Sequence, residues 1–377
     1  MVCYAAASRG GAREPILTED LKYWIGFSRV SGIGPVRLRA LLDVSGSVQA
    51  AWNASSATLR AAGLDQRTVE RLLSVRSSMD LDAELDRMAR AGVTALTWES
   101  PGYPPQLKAI PNPPPVLYVK GSLLPRDEWA LGVVGTRRAS IYGREATRAL
   151  VHDLAASGVT IVSGLAYGID TQAHKVALEA GGRTIAVLGS GVDVIYPAAN
   201  RGLAVDITNS GALVSDYPLG IKPDARNFPP RNRIISGLSL GVLVVEGAKQ
   251  SGAMITAKYA VEHGRDVFAV PGNILNRSSD GPSYLIQQGA KLVTSVGDIL
   301  EELNLDMVAE QTEVRQVIPD NETEALLLKY LSAEPIHVDA LGRAAGLPIH
   351  EVTGALTLME LKGKVRQAGN MCYVLAH

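Results

Sequence analysis

Between Ala130 and about Leu305 the chain alternates short, unbroken apolar runs with longer amphipathic stretches, and no other feature restricts the fold as strongly. The runs are Leu131–Gly135, Thr160–Ser163, Thr184–Leu188, Ala212–Ser215, Val242–Glu246, Val267–Val270 and Lys291–Thr294. Stretches with helical spacing, such as Gly143–Ala156, Asp170–Glu179 and Ala253–Glu262, lie between them. A strand that is apolar at every position is buried on both faces, as in a parallel sheet flanked by helices. Repeated strand–helix units with right-handed crossovers predict an α/β, Rossmann-like domain over residues 130–305, with a doubly wound, mostly parallel sheet. The 37 glycines of the 377-residue chain suit the tight turns such a sheet needs.

The flanks read differently. Residues 1–15 are small, polar and glycine-rich and predict a disordered tail. Residues 16–99 predict a small helical domain, SAM-like or helix–hairpin–helix-like, with Thr18 capping its first helix. Within it, Gly32-Ile33-Gly34-Pro35 has the form of a hairpin turn before a helix, with a weaker echo at Ala61–Asp65. Backbone N–H groups at such a helix start can face a DNA phosphate. The glycines can equally serve only to let two short helices turn. Residues 100–129 are rich in proline, which argues against a helix or a central strand and predicts an extended connector. Residues 306–320 read as a linker.

Residues 321–377 predict helices over 321–331, 338–345 and 349–362 and a strand pair near Val365–Val374, a winged-helix-like domain. Its expected core is Leu326, Leu327, Tyr330, Leu341, Val352, Leu356, Met359 and Leu361. Glu351, Glu360, Lys362 and Lys364 leave its third helix without a strongly basic surface, so DNA and protein both stay open as partners of this domain.

Composition narrows the function classes. The chain carries 37 Lys and Arg against 38 Asp and Glu, so nucleic-acid binding would have to come from a local patch. Cys3 and Cys372 form no disulfide framework and fit a reducing compartment. None of His152, His174, His263, His337, His350 and His377 stands at metal-ligand spacing from a cysteine. No apolar run approaches the ~20 residues of a membrane span, and the first residues lack the order of a signal peptide. The expectation is a cytoplasmic protein that needs no metal or cofactor and no membrane.

Ligands of open α/β sheets bind beyond the carboxyl ends of the strands. The turns there are Gly135–Ser140, Ser163–Asp170, Gly189–Gly191, Asp216–Pro218 and Gly247–Gly252. Several combine glycine with a hydroxyl just before a helix, which presents N–H groups to an anion. Enzyme motifs fare worse. Gly189-Ser190-Gly191 is an incomplete dinucleotide fingerprint with Val194 at its third glycine position. Gly237-Leu-Ser239-Leu-Gly241 has the string of a nucleophile elbow, but it follows a helix and precedes a strand, the reverse of the required order. His174 lies inside a helix and reads as packed or capping rather than catalytic.

The densest cluster of chemistry is Asp224–Gly237, with Arg226, Arg231 and Arg233, the amides Asn227 and Asn232, and Phe228, one of three phenylalanines. Guanidinium and amide groups suit phosphates and base edges, and an aromatic ring beside them suits stacking on an unpaired base. The competing reading is that these arginines pair with Asp216, Asp224 or Glu246 and stiffen the fold.

The strings VVGTRRASIYG (133–143), IVSGLAYGIDTQAH (161–174), DARNFPPRNRIISGLSLGVLVVEG (224–247), SGAMITAKYAVEHGRDVFAVPG (251–272) and GPSYLIQQGAKLV (281–293) resemble the DNA-processing protein A (DprA, also called Smf) family. The resemblance implies single-stranded DNA binding, homodimers through the Rossmann-like domain, and loading of the RecA recombinase in natural transformation, with no covalent chemistry. It also implies a site: Gly135, Thr136 and Arg137 from the V-G-[ST]-R turn; Ser163, Gly164 and Gly168 from the second turn; Asn200 from the Y-P-x-x-N motif at Tyr196; and Asn227, Phe228, Arg231, Asn232 and Arg233 from the N-F-P-x-R-N-R motif, to which the cluster itself adds Arg226. Lys249 stands near a basic position of the family. Thr136 replaces a common serine and Asp216 a usual glutamate. The competing class is a nucleotide-processing phosphoribohydrolase of similar fold, whose P-G-G-x-G-T-x-x-E signature is broken at Pro271-Gly272-Asn273.

Overall fold

The computed structural model describes residues 20–305, 321–331, 336–362, 364–369 and 371–375. The expected tail over 1–15, the Thr18 cap and the linker over 306–320 lie outside the described residues. The chain divides into two compact units after Leu305.

The first unit opens with six helices: α1 (Leu21–Ser28), α2 (Pro35–Ser45), α3 (Val48–Asn53), α4 (Ser56–Ala61), α5 (Gln66–Ser78) and α6 (Leu81–Arg90). Their starts follow local chemistry. Pro35 occupies the first turn of α2, where a missing N–H costs nothing. Asp65 caps α5 by accepting from the Thr68 N–H at 2.9 Å. Arg37, beside the Gly32–Gly34 turn, is ion-paired with Asp65 at 2.9 Å.

After α6 come β1 (Val93–Thr97), the short helix α7 (Pro105–Lys108) and β2 (Val116–Gly121). These correct two expectations: the helical segment 16–99 contains a strand, and the proline-rich connector contains a helix and an interior strand. The physical reason is placement. Pro105 sits in the first turn of α7, and Pro115 ends immediately before β2, so no proline interrupts a hydrogen bond. β2 pairs antiparallel with β1 on one side and with β6 on the other.

The remaining strands are β3 (Ala130–Val134), β4 (Thr160–Ser163), β5 (Thr184–Val187), β6 (Ala212–Ser215), β7 (Gly241–Val244), β8 (Asp266–Ala269) and β9 (Lys291–Leu292). Helices α8 (Ile141–Ala156), α9 (Ile169–Glu179), α10 (Arg201–Ser210), α11 (Phe228–Gly237), α12 (Gly252–Glu262), α13 (Asp280–Gln287) and α14 (Gly297–Glu302) accompany them. Among the described residues they form a nine-stranded sheet in the order β1-β2-β6-β5-β4-β3-β7-β8-β9. β3 to β9 pair parallel throughout, with every residue of β3 to β7 buried. The chain runs outward from β3 through β4, β5 and β6, then returns to the other side of β3 with β7, which makes the β3 region the switch point of the sheet.

Alternation along β2 ties the segments together. Val116 and Tyr118 enter the core shared with the helical segment, whereas Leu117 and Val119 enter the opposite one. The buried Tyr118 hydroxyl lies 2.7 Å from Ser28 Oγ on α1.

The second unit contains α15 (Glu322–Leu328), β10 (Ile336–His337), α16 (Val338–Ala345), α17 (Ile349–Leu361), β11 (Val365–Gly369) and β12 (Cys372–Leu375), its strands ordered β10-β12-β11. Leu327, Leu341, Val352, Leu356 and Met359 form its core as expected. Tyr330 does not join them and is exposed; Leu326 is half-buried, and the side chain of Leu361 lies outside the described residues. Lys362 and Lys364 reach the buried Glu324 at 3.0 and 2.6 Å instead of standing free on a surface. Among the described residues no helix is long and apolar enough to cross a membrane.

Candidate nucleic-acid interface

At the switch point the carboxyl ends of β3 to β7 open onto a cleft of about 640 Å³. Three turns meet beneath it. The Thr136 N–H donates to the Glu246 carbonyl at 2.7 Å, and the Ile169 N–H donates to the Thr136 carbonyl at 3.2 Å. Gly168 has a φ of +80°, and a β-carbon there would lie 2.2 Å from the Thr136 oxygen. Only glycine lets these two backbones touch, and their contact fixes the Arg137 turn at the rim.

Arg231, on α11, is the floor of the cleft. It is 4% exposed, its Nη1 donates to the Val187 carbonyl, and its Nε has no hydrogen-bond partner among the described residues. Gly164 leaves room for it: a β-carbon there would sit 2.1 Å from Nη1. Asp170 is buried beside it and accepts from the Gly164 and Ala166 N–H groups at 3.2 and 3.4 Å. Burial raises the Asp170 pKa, opposed by the Arg231 charge. Burial lowers Arg231 to about 10, opposed by Asp170, so the guanidinium stays charged at neutral pH. Behind them His174 is fully buried, with Nδ1 2.6 Å from Thr184 Oγ1. Burial, then Arg231, lower it to about 3, so it is neutral.

The rim is aromatic and basic. Phe228 starts α11 and carries the Arg137 and Arg231 guanidiniums 5.7 and 5.8 Å from its ring centre. Arg137 and the neighbouring Arg138 are both exposed and line the cleft. Across from them stands the start of α12, with Ser251 and Gly252.

Of the residues expected at the site, Gly135, Thr136, Arg137, Phe228, Arg231 and Asn232 line this cleft. The others do not. Ser163 is buried and its hydroxyl donates to the Val133 carbonyl at 2.6 Å. Asn200 is buried and donates to the Leu165 carbonyl and to Thr171. Asn227 donates to the Gly189 carbonyl at 3.1 Å. Gly164 and Gly168 act through close packing. Lys249 is exposed, over the Tyr284 ring at 5.0 Å.

Two arginines of the 224–237 cluster are taken up by carboxylates. Arg233 is ion-paired with Asp216 at 2.7 Å, both largely buried, and Arg226 with Asp224 at 2.7 Å on the surface. The competing ion-pair reading thus holds for these two and not for Arg231. Among the described residues Glu246 pairs with no arginine; it accepts from the Ser140 N–H and hydroxyl and from the Ser278 hydroxyl. Sequence reasoning missed Arg138, Asp170, Tyr196 and Thr256 as cleft residues. Arg138 could have been read from its place beside Arg137; the other three needed the packing.

A family model described as DNA recombination-mediator protein A matches residues 94–304. The chain belongs to that family. A model of the DprA winged helix domain matches residues 303–371, in agreement with the fold of the second unit. Protein Smf of Synechocystis is 36% identical over 388 residues, covering 93% of this chain and 98% of that one. The X-ray structure of DNA processing protein A from Streptococcus pneumoniae superposes with a TM-score of 0.66 at 36% identity, covering 76% of this chain and 98% of that one. DNA processing protein A from Helicobacter pylori, described for its single-stranded DNA binding mode, gives a TM-score of 0.51 at 29% identity over 57% of this chain and 96% of its own. As a recombination-mediator A protein, this chain carries the cleft within the segment that defines the family.

Proposed function

We propose that the switch-point cleft binds single-stranded DNA and that the protein, as a homodimer, presents the strand to a RecA-type recombinase without covalent chemistry. The observation that carries the reading is the exposed Arg137 guanidinium set against the Phe228 ring at the rim, with the buried charge of Arg231 below. Arg137 and Arg138 supply phosphate contacts, and the start of α12 adds N–H groups beside Ser251. Backbone and bases must separate to use both kinds of partner, which favours a single strand over a duplex. The Helicobacter relative described for single-stranded DNA binding supports the same ligand here.

A gel shift with single- and double-stranded oligonucleotides tests the ligand, beside a nucleoside-monophosphate hydrolysis assay for the enzyme class. Arg137→Ala is expected to weaken single-strand binding and to lower the salt slope by about 0.7, the loss of one phosphate contact. Arg233→Ala is expected to leave that slope unchanged, because its guanidinium belongs to Asp216. An unaltered slope in Arg137→Ala would remove the phosphate contact from the reading. Recombinase filament assembly on single strands, with and without this protein, tests the loading step, and sedimentation tests the dimer.

A further inference from the structure

Two aromatic rings line the cleft, and they are not equally available. Phe228 is half-buried: two guanidiniums lie over it, and its Cδ1 would be 3.0 Å from a β-carbon at Gly189. Tyr196 is 45% exposed and lines the same cleft. Its ring centre is 5.8 Å from that of Phe228, tilted by 42°, and its hydroxyl has no hydrogen-bond partner among the described residues.

The backbone under Tyr196 is held on both sides. Upstream, the Ser190 hydroxyl donates to the Val194 carbonyl at 2.7 Å, and Asp193 accepts from the Gly220 N–H at 2.8 Å. Downstream, the Asn200 N–H donates to the Pro197 carbonyl at 3.0 Å, while the Asn200 amide is buried against Leu165 and Thr171. A large ring on a fixed backbone, open to the cleft and backed by a second ring, loses little freedom when a flat ligand settles on it.

We propose that Tyr196 is the stacking platform for an unpaired nucleobase and that Phe228 is its support, holding Tyr196 on one side and Arg137 on the other end of the same contact chain. The proposal rests on the single-strand reading and assigns the base-binding role to a residue outside the arginine segment.

The test compares Tyr196→Leu and Tyr196→Phe with the unaltered protein on two strands of equal length, one normal and one whose sugars carry no bases. Tyr196→Leu is expected to bind the normal strand about tenfold more weakly, with the salt slope unchanged and no loss on the base-free strand. Tyr196→Phe is expected to bind both strands as the unaltered protein does, since the hydroxyl has no partner to lose. Tyr196→Ser provides the same comparison if leucine perturbs folding. Wild-type binding of the normal strand by Tyr196→Leu, or an equal loss on both strands, overturns the platform. Failure of the unaltered protein to bind either strand is a different pattern and overturns the single-strand reading itself.

Discussion

At Gly164 a β-carbon would collide with Nη1 of a guanidinium that is itself buried and hydrogen-bonded, so neither partner can move cheaply. Gly164→Ala is expected to destabilise the fold by about 1–3 kcal/mol and to weaken strand binding, read by urea unfolding and a gel shift. An alanine variant of native stability would contradict the packing of Arg231. His174 makes a second residue-scale prediction. Burial lowers it to about 3 in the folded state from its ordinary value of 6.5. Between those values the unfolded chain binds a proton that the folded chain does not. Its contribution is therefore fully present above pH ~6.5 and is lost as pH falls toward ~3, by at most about 1.4 kcal/mol per unit. His174→Gln is expected to flatten the difference in unfolding free energy between pH 7 and pH 5; an unchanged slope would place the acid sensitivity elsewhere.

Two elements show how secondary structure rearranges what looks contiguous in sequence. Arg231 and Arg233 are neighbours in the chain, but residues two apart on a helix do not share a face. On α11 Arg231 turns to the cleft and Arg233 to Asp216. A cluster of three arginines thus becomes one cleft residue and two ion pairs. β2 is the other case. The prolines around it read as a connector, yet none falls between Val116 and Gly121, and Leu117 is fully buried in the sheet core. Leu117→Ala is expected to cost about 2–5 kcal/mol, measured by denaturant unfolding; a loss near zero would return this segment to the surface.

For the whole molecule, residues 20–305 form one unit in which the helical segment, β1 and β2 share cores with the Rossmann-like sheet. All residues lining the cleft belong to that unit. A chain ending at Leu305 is therefore expected to retain the single-strand affinity and salt slope of the full protein in a gel shift. Loss of most of the binding would shift the main contacts to the winged-helix unit.

The seven apolar runs determined the parallel sheet, and the glycine turns determined where its ligand end would be, because strand burial and backbone approach are written in local residue choice. The resemblance of the same turns to one family marked Arg137, Phe228 and Arg231. What sequence spacing could not settle was which polar groups would find partners inside the protein. Arg233 meets Asp216 and Asn200 meets Leu165 only after distant segments pack, while Tyr196 is left facing the cleft. Whether a charge or an amide is spent on the fold or remains for a ligand depends on desolvation and neighbours, and those exist only in the tertiary structure.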